Sequence, residues 1–284
     1  MNDFYKAAES CFWIIIGGYM IYREINKIIL NKSIKYGLEA TREITTTSIG
    51  NKYSKERTSM GFFIRSNLLI TNYHVIQPLL KSKVNESEIK ISGETHTLSF
   101  SFDGTLPAID LTERKLLEDT SPNLTERKLS EDTSSRIILE DINSIKIFYD
   151  KDNDLACIEL RDQNNKFIES EGLFNYILKY IFDINIYKPS VFSIGPCKNN
   201  IKQISYGVVL NAKTINVDGI NISTINSNIH TPYGFSGGPL LTYYGHLMGI
   251  NFCATDPDFT ISYAVDTNTI FNFLQRYDDY ITEI

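Results

Sequence analysis

Paired cysteines, a basic surface and a long apolar run are all missing from this chain, and each absence removes a class of protein. Its four cysteines, Cys11, Cys157, Cys197 and Cys253, lie far apart and form no CxxC pair. Neither a zinc site nor a dense disulfide framework is therefore expected; buried free thiols, and with them an intracellular, cytoplasmic setting, are. Twenty-eight Lys and Arg against 34 Asp and Glu leave a net charge of −6, with no dense cationic patch, which argues against a nucleic-acid partner. No glycine-rich phosphate loop follows a strand, and no cluster of His, Cys and acids has ligand spacing, so no metal and no cofactor are expected.

The longest apolar run, CFWIIIGGYMIY at 11–22, falls short of the roughly 20 residues that span a bilayer as a helix. Asp3 and Glu9 ahead of it, and no small-residue cleavage site behind it, also fit a secretory leader badly. At helical spacing Phe4, Ala8, Cys11, Ile15, Tyr19, Tyr22, Ile25 and Ile29 share a face, which predicts a helix over about 4–30. Packing of that helix on the following domain is the favoured reading, and membrane association through 11–22 or a partner interface the weaker one.

From Thr41 onward the pattern is one of strands. REITTTSIG, a polar turn NKYSKERTS and MGFFIRSNLLITNYHVI come first, and His74 closes the second run on a buried strand end or the turn behind it. Residues 111–136 hold a duplication, LTERKLLEDTSPN followed by LTERKLSEDTSSR, which reads as a charged surface insertion. RIILEDINSIKIFYDKDNDLACIEL returns to strands, with Asp154 where an acidic turn meets the next strand, and 167–182 reads as an amphipathic helix or an irregular insertion. VFSIGPC, ISYGVVLNA, INISTI, LLTYYGHLMGIN and ISYAV are further short strands, and TNTIFNFLQRYDDYITEI a terminal helix. Many short strands broken by Gly, Asn and Pro make an all-β barrel or sandwich, not alternating βαβ units.

The chemistry gathers at TPYGFSGGPLL, 231–241, where Ser236 stands among glycines. A serine hydroxyl needs a base, a group to orient that base, and N–H donors for the oxyanion. GFSGG formally matches the GxSxG elbow of α/β-hydrolases, but that fold places an acid and then a histidine after the serine. Here only His246 follows, ten residues on with no carboxylate between, and Pro239 leads into a hairpin instead of a helix. The order His, Asp, Ser is present instead, in TNYHVI, NDLACIEL and GFSGGPL.

Together these three fragments resemble the trypsin-like serine peptidases, most closely the disulfide-free HtrA-like branch, and the resemblance covers roughly 41–277. It implies two six-stranded antiparallel β-barrels with a cleft between them. It divides the chain into an N-terminal helical segment, 1–40, and a peptidase domain, 41–284. Within the latter the first barrel would run over about 41–165, the second over about 186–266 and a C-terminal helix over about 267–280. His74 would be the general base, Asp154 its orienting carboxylate and Ser236 the nucleophile, with the backbone N–H groups of Gly234 and Ser236 as oxyanion hole. Asp150 and Asp152 are rivals to Asp154, which alone runs directly into the apolar strand.

For substrate, the resemblance places His230 near the floor of the specificity pocket and Asn251, Phe252 and Cys253 along its wall. Departures from the family pattern are Phe235, where digestive trypsins carry an aspartate used in zymogen activation, and the lack of a following PDZ domain. The implied function is a serine endopeptidase acting on protein or peptide through an acyl-enzyme. The alternative is a catalytically inactive barrel protein that binds or scaffolds a partner.

Overall fold

A computed structural model describes residues 2–49, 54–81, 86–92, 97–102, 108–110, 136–138, 145–160, 165–168, 188–198, 201–217, 219–254 and 260–283. The duplicated segment at 111–135, His96 and most of 167–182 lie outside the described residues, as do the side chains of Cys11 and Cys253.

The chain opens with helix α1 (Asn2–Ala40), which runs ten residues past the end that the apolar periodicity suggests. Its last turn has no glycine cap and no basic residue of its own. The terminal carbonyls are satisfied from elsewhere: Thr41 Oγ1 donates to Gly37 O (2.6 Å), Lys202 Nζ to Leu38 O (2.6 Å), and Arg42 to Glu39 O (2.5 Å). Two cations thus sit at the negative end of the helix dipole. Leu30, Ile34 and Leu38 pack on the core, and Gly37 lets the helix lie against Ile194 and Leu241, within about 3 Å of where a Cβ would stand. Between Tyr19 and Ile28 the favoured packing is not found, because Tyr19 to Tyr22, Ile25 and Ile28 are exposed. Among the described residues no helix is long and apolar enough to cross a membrane.

Strands β1 (Thr41–Ile49), β2 (Ser54–Arg65) and β3 (Leu68–Thr71) follow, and then the short helix α2 (Tyr73–Lys81). The polar stretch read as a turn is largely strand, since Ser54 to Ser59 pair with Ile44 to Ile49. Antiparallel pairing satisfies backbone groups whatever the side chains, so polarity alone is a poor guide to a turn here. Strands β4 (Glu86–Ser92), β5 (Thr97–Phe102), β6 (Ala108–Asp110), β7 (Arg136–Ile138), β8 (Ile145–Asp150) and β9 (Leu155–Leu160) complete a nine-stranded sheet. Its order is β6-β8-β9-β3-β2-β1-β4-β5-β7. The inner pairings are antiparallel, and the edge pairs β5/β7 and β6/β8 are parallel, an extension beyond the six strands expected.

The second unit is a closed six-stranded antiparallel barrel of β10 (Ser190–Lys198), β11 (Ile201–Val217), β12 (Ile220–Ser227), β13 (Pro239–Thr242), β14 (Leu247–Ala254) and β15 (Ser262–Asp266). Helix α3 (Thr267–Glu283) follows at once, with Asp266 Oδ1 capping the Thr269 amide at 2.8 Å.

Side-chain alternation shows where the core lies. In β2, β3 and β9, Phe63, Leu69, Ala156 and Ile158 fill the interior of the first unit. Their neighbours Phe62, Ile64, Leu68, Ile70, Leu155 and Cys157 face the other way. They join Phe192, Ile194 and Leu241 of the barrel and Ile270, Phe273 and Tyr277 of α3 in one shared cluster. Burial on both faces explains why these strands read as near-continuous apolar runs. Cys157 is a buried thiol held well above its ordinary pKa by desolvation, whereas Cys197 is exposed, against expectation, because it lies past the bulge near the end of β10.

Helix α3 also clamps the first unit from behind. Phe148 meets the Tyr277 and Tyr280 rings edge-on at 4.8 and 5.5 Å, and Arg65 bonds Asp278 through both guanidinium nitrogens (2.5 and 2.7 Å). Arg276 reaches the fully buried carboxylate of Asp150. Replacing Arg276 by Leu leaves that carboxylate without its cation. A loss of about 2 kcal/mol is expected, at the low side of a broken buried pair because Arg276 is partly exposed. Urea unfolding measures it, and an unchanged midpoint would show that α3 does not hold this turn.

Candidate active site

Each half of the molecule delivers part of the site. On the first sheet, β3 ends at Thr71 and the chain turns into α2 through Asn72, so His74 lies in the first turn of that helix. Asp154 ends the β8–β9 turn. Asp150 organises that turn by accepting from the amides of Asp152 (3.0 Å) and Asn153 (3.1 Å) and from the Asn153 side chain (2.8 Å). Asp150 is thus a structural acid, fully buried and occupied, and leaves the site to Asp154.

Asp154 is held at four points. Its Oδ2 meets His74 Nδ1 at 2.6 Å, and its Oδ1 accepts from the His74 amide at 2.8 Å. Its carbonyl accepts from the Tyr73 amide and from Asn72 Nδ2, each at 3.1 Å. This fixture holds the residue at φ 52°, a left-handed conformation that costs a non-glycine residue of order 1–2 kcal/mol. The carboxylate side chain is 10% exposed and the imidazole 39%, so the acid is shielded while the histidine opens to the cleft. The arrangement fixes Nδ1 as the protonated nitrogen and turns Nε2 outward.

On the barrel, Ser236 lies in the loop between β12 and β13. The loop is anchored by Phe235 N to Pro232 O (3.3 Å), Gly238 N to Phe235 O (3.0 Å), and a two-bond link to β14: Gly237 N to Asn251 O and Asn251 N to Gly238 O, both 2.9 Å. The first sheet grips it as well, because the Met60 amide of β2 donates to the Ser236 carbonyl at 2.9 Å. Met60 O in turn accepts from Thr71 Oγ1 at 2.7 Å. A Cβ at Gly237 would collide with Met60 O and Thr71 Oγ1, and the residue sits at φ 82°, so glycine is required twice over. Gly234 is at φ 96°, and neither its N–H nor that of Ser236 donates to another described residue. These two N–H groups, one on either side of Phe235, are unspent among the described residues.

Phe235 is 1% exposed, and its ring lies so close to Gly195 of β10 that a Cβ there would overlap it. The position that carries a charged switch in digestive trypsins is a buried apolar plug here. In this structure Ser236 Oγ donates to the Phe252 carbonyl at 3.3 Å, not to His74 Nε2. The Phe252 ring stands edge-on to His74 with centroids 6.2 Å apart. Phe252 is the residue on which His74 and Ser236 converge.

The residues expected to line a specificity pocket fare differently. His230 is exposed between buried Ile229 and Thr231, a setting that does not suit a pocket floor. Asn251 is 3% exposed, with its Nδ2 bonded to Ser193 of β10 and its Oδ1 buried without a protein partner. Cys253 has its backbone in β14. Sequence reasoning missed Met60, which acts through a backbone amide and leaves no side-chain signal. It also missed Thr71 and Asn72, whose signal was present: two polar residues, both fully buried, inside an apolar run. Among the described residues no group of three or more His, Cys, Asp or Glu could hold a metal ion.

No protein-family model matches the chain, and no curated protein does. Solved structures do. The active form of the Rv3671c protease from M. tuberculosis superposes with a TM-score of 0.55 at 13% identity, over 88% of this chain and 85% of that one. Deg5 gives 0.51 at 18% identity over 88% and 92%. The HtrA-type protease AlgW with a tripeptide gives 0.53 at 15% over 87% of this chain, which spans 62% of the AlgW chain. The chain therefore has the trypsin-like serine protease fold that these structures share.

The plug is open to direct test. Gly195→Ala should displace Phe235 and cost about 1–3 kcal/mol of stability by overpacking, and Phe235→Leu in the same chain should recover part of it. A double-mutant cycle by chemical denaturation reads the coupling; strictly additive effects would show that the two residues do not press on each other.

Proposed function

We propose that the protein is a serine endopeptidase in which Ser236 attacks a peptide carbonyl, His74 takes and returns the proton, and an acyl-enzyme on Ser236 is released by water. The observation that carries this reading is the 2.6 Å bond between His74 Nδ1 and a shielded Asp154 carboxylate, on the opposite side of the cleft from a serine whose loop carries two unspent N–H groups. An oriented neutral imidazole is the base a serine needs, and the ionised Asp154 stabilises the imidazolium that forms. The amides of Gly234 and Ser236 supply the oxyanion donors, an interaction whose loss typically costs ~10² to 10³ in turnover.

The hydroxyl must first leave Phe252 O for His74 Nε2. That exchanges one long hydrogen bond, worth about 1 kcal/mol, for a catalytic one. A peptide substrate fits a site built on the exposed backbone of a strand end, and the AlgW neighbour is one that holds a tripeptide. The division into a helical segment, 1–40, and a peptidase domain, 41–284, belongs to the same proposal.

The second reading, a non-catalytic binding protein on the same fold, draws on the Ser236 bond to Phe252 O. Cleavage of an unfolded protein such as reduced casein separates the two. The native chain should cut it, Ser236→Ala should abolish cutting, and Asp154→Asn should lower kcat by up to ~10⁴ while leaving the fold intact, because the amide favours the wrong imidazole tautomer. Cutting that survives in Ser236→Ala would end the endopeptidase proposal.

A further inference from the structure

Among the described side chains of α1, those from Tyr19 to Ile28 are mostly exposed. Tyr19, Met20, Ile21 and Tyr22 are consecutive and each more than 50% exposed; at 100° per residue they ring the helix with apolar surface. Ile25 and Ile28, 50% and 55% exposed, continue one side of it. Apolar surface of this extent on a monomer marks an interaction site.

The direction of that side is fixed by the helix itself. Leu30 and Ile34, which pack on the core, share a sector with Arg23 and Lys27 (spacings of four, three and four residues), and both cations are exposed. Ile21, Ile25 and Ile28 lie on the opposite sector. The apolar face therefore points away from the barrels, and the cations lie on the side of the barrels. Lys32 and Lys35 add exposed positive charge in the following turns, against Glu24 as the one exposed acid between residues 18 and 38.

We infer that α1 holds the protein on the surface of an anionic lipid bilayer, lying in the plane of the interface. Three observations select lipid over a second copy of the helix. A partner helix covers one seam, whereas the ring at 19–22 is bare all round. Two of its members are tyrosines, which suit the headgroup boundary. Lys32 and Lys35, both exposed, continue the sector of Ile25 and Ile28 at spacings of four and three and are complementary to acidic headgroups. The in-plane orientation follows from length and ends. The apolar run 11–22 is about 18 Å long, too short to cross. Glu9 before it and Arg23 with Glu24 after it both have to stay at headgroup level. The barrels then face water, with α1 as a strut beneath them. This inference is independent of the catalytic reading.

Co-sedimentation of the full chain with phosphatidylcholine vesicles, and with mixed phosphatidylcholine and phosphatidylglycerol vesicles, tests it. The native chain should pellet with the mixed vesicles. Ile21→Ser with Ile25→Ser should cut the bound fraction at least about tenfold, given the apolar area removed. Lys32→Gln with Lys35→Gln should bind mixed and neutral vesicles alike. All of these side chains are exposed, so an unchanged melting temperature certifies the fold. Failure of the native chain to pellet with mixed vesicles would overturn the inference. So would a sedimentation-equilibrium dimer that the isoleucine pair disperses while vesicles remain unbound, since a second copy would then cover the face.

Discussion

The hydrogen bond from the Met60 amide to the Ser236 carbonyl is the constraint on which the rest of the site depends. Nothing else described ties the backbone of the serine itself to the unit that carries His74 and Asp154. The bond reaches its length only because Gly237 has no side chain, and it is braced by Thr71, three residues ahead of His74. Thr71 thus links the strand under the serine to the strand that delivers the histidine. A shift of the two units past each other would have to break this chain of contacts before it separated base from nucleophile. The 3.3 Å bond to Phe252 O shows the hydroxyl itself to be the loosely held member of the group.

Around that bond the two halves are fixed by different means. The histidine side uses polar contacts, with four bonds to Asp154 and a buried Asp150 answered by Arg276 from α3. The serine side uses packing. Phe235 fills the space over Gly195, worth about 2–3 kcal/mol of apolar burial, and needs no charge to hold the loop. A loop held by an apolar plug has no ion pair to assemble or to titrate away. Helix α3 serves both halves, since its apolar face enters the cluster shared by the two units and its charged residues reach the turn behind Asp154.

The local parts of this arrangement were legible in the sequence. The β2–β3 and β13–β14 hairpins announce themselves through turn residues and apolar runs, and the terminal helix through the segment TNTIFNFLQRYDDYITEI. The order of His74, Asp154 and Ser236 survives in the sequence because each sits close to an apolar strand: His74 in the first turn of α2 just after β3, Asp154 just before β9 and Ser236 just before β13. What was not legible acts across long separations or through the backbone. The helix runs on to Ala40 because Lys202, far away in sequence, caps it. The parallel edge pairings of β6 and β7 have no local signature. Asp150, which looks like a rival catalytic acid, is set apart by its burial, by the turn amides it accepts and by its bond to Arg276. His230, placed by counting back from Ser236, is exposed because a residue count does not fix the path of a loop.

The central claim is that a base on one sheet serves a nucleophile on the other, and covalent labelling of Ser236 measures this directly. The native chain should react with a fluorophosphonate at Ser236, identified by peptide mass mapping, and His74→Ala should slow that reaction by about 10³-fold or more. Equal labelling rates with and without the imidazole, or no adduct on the native chain, would contradict the account.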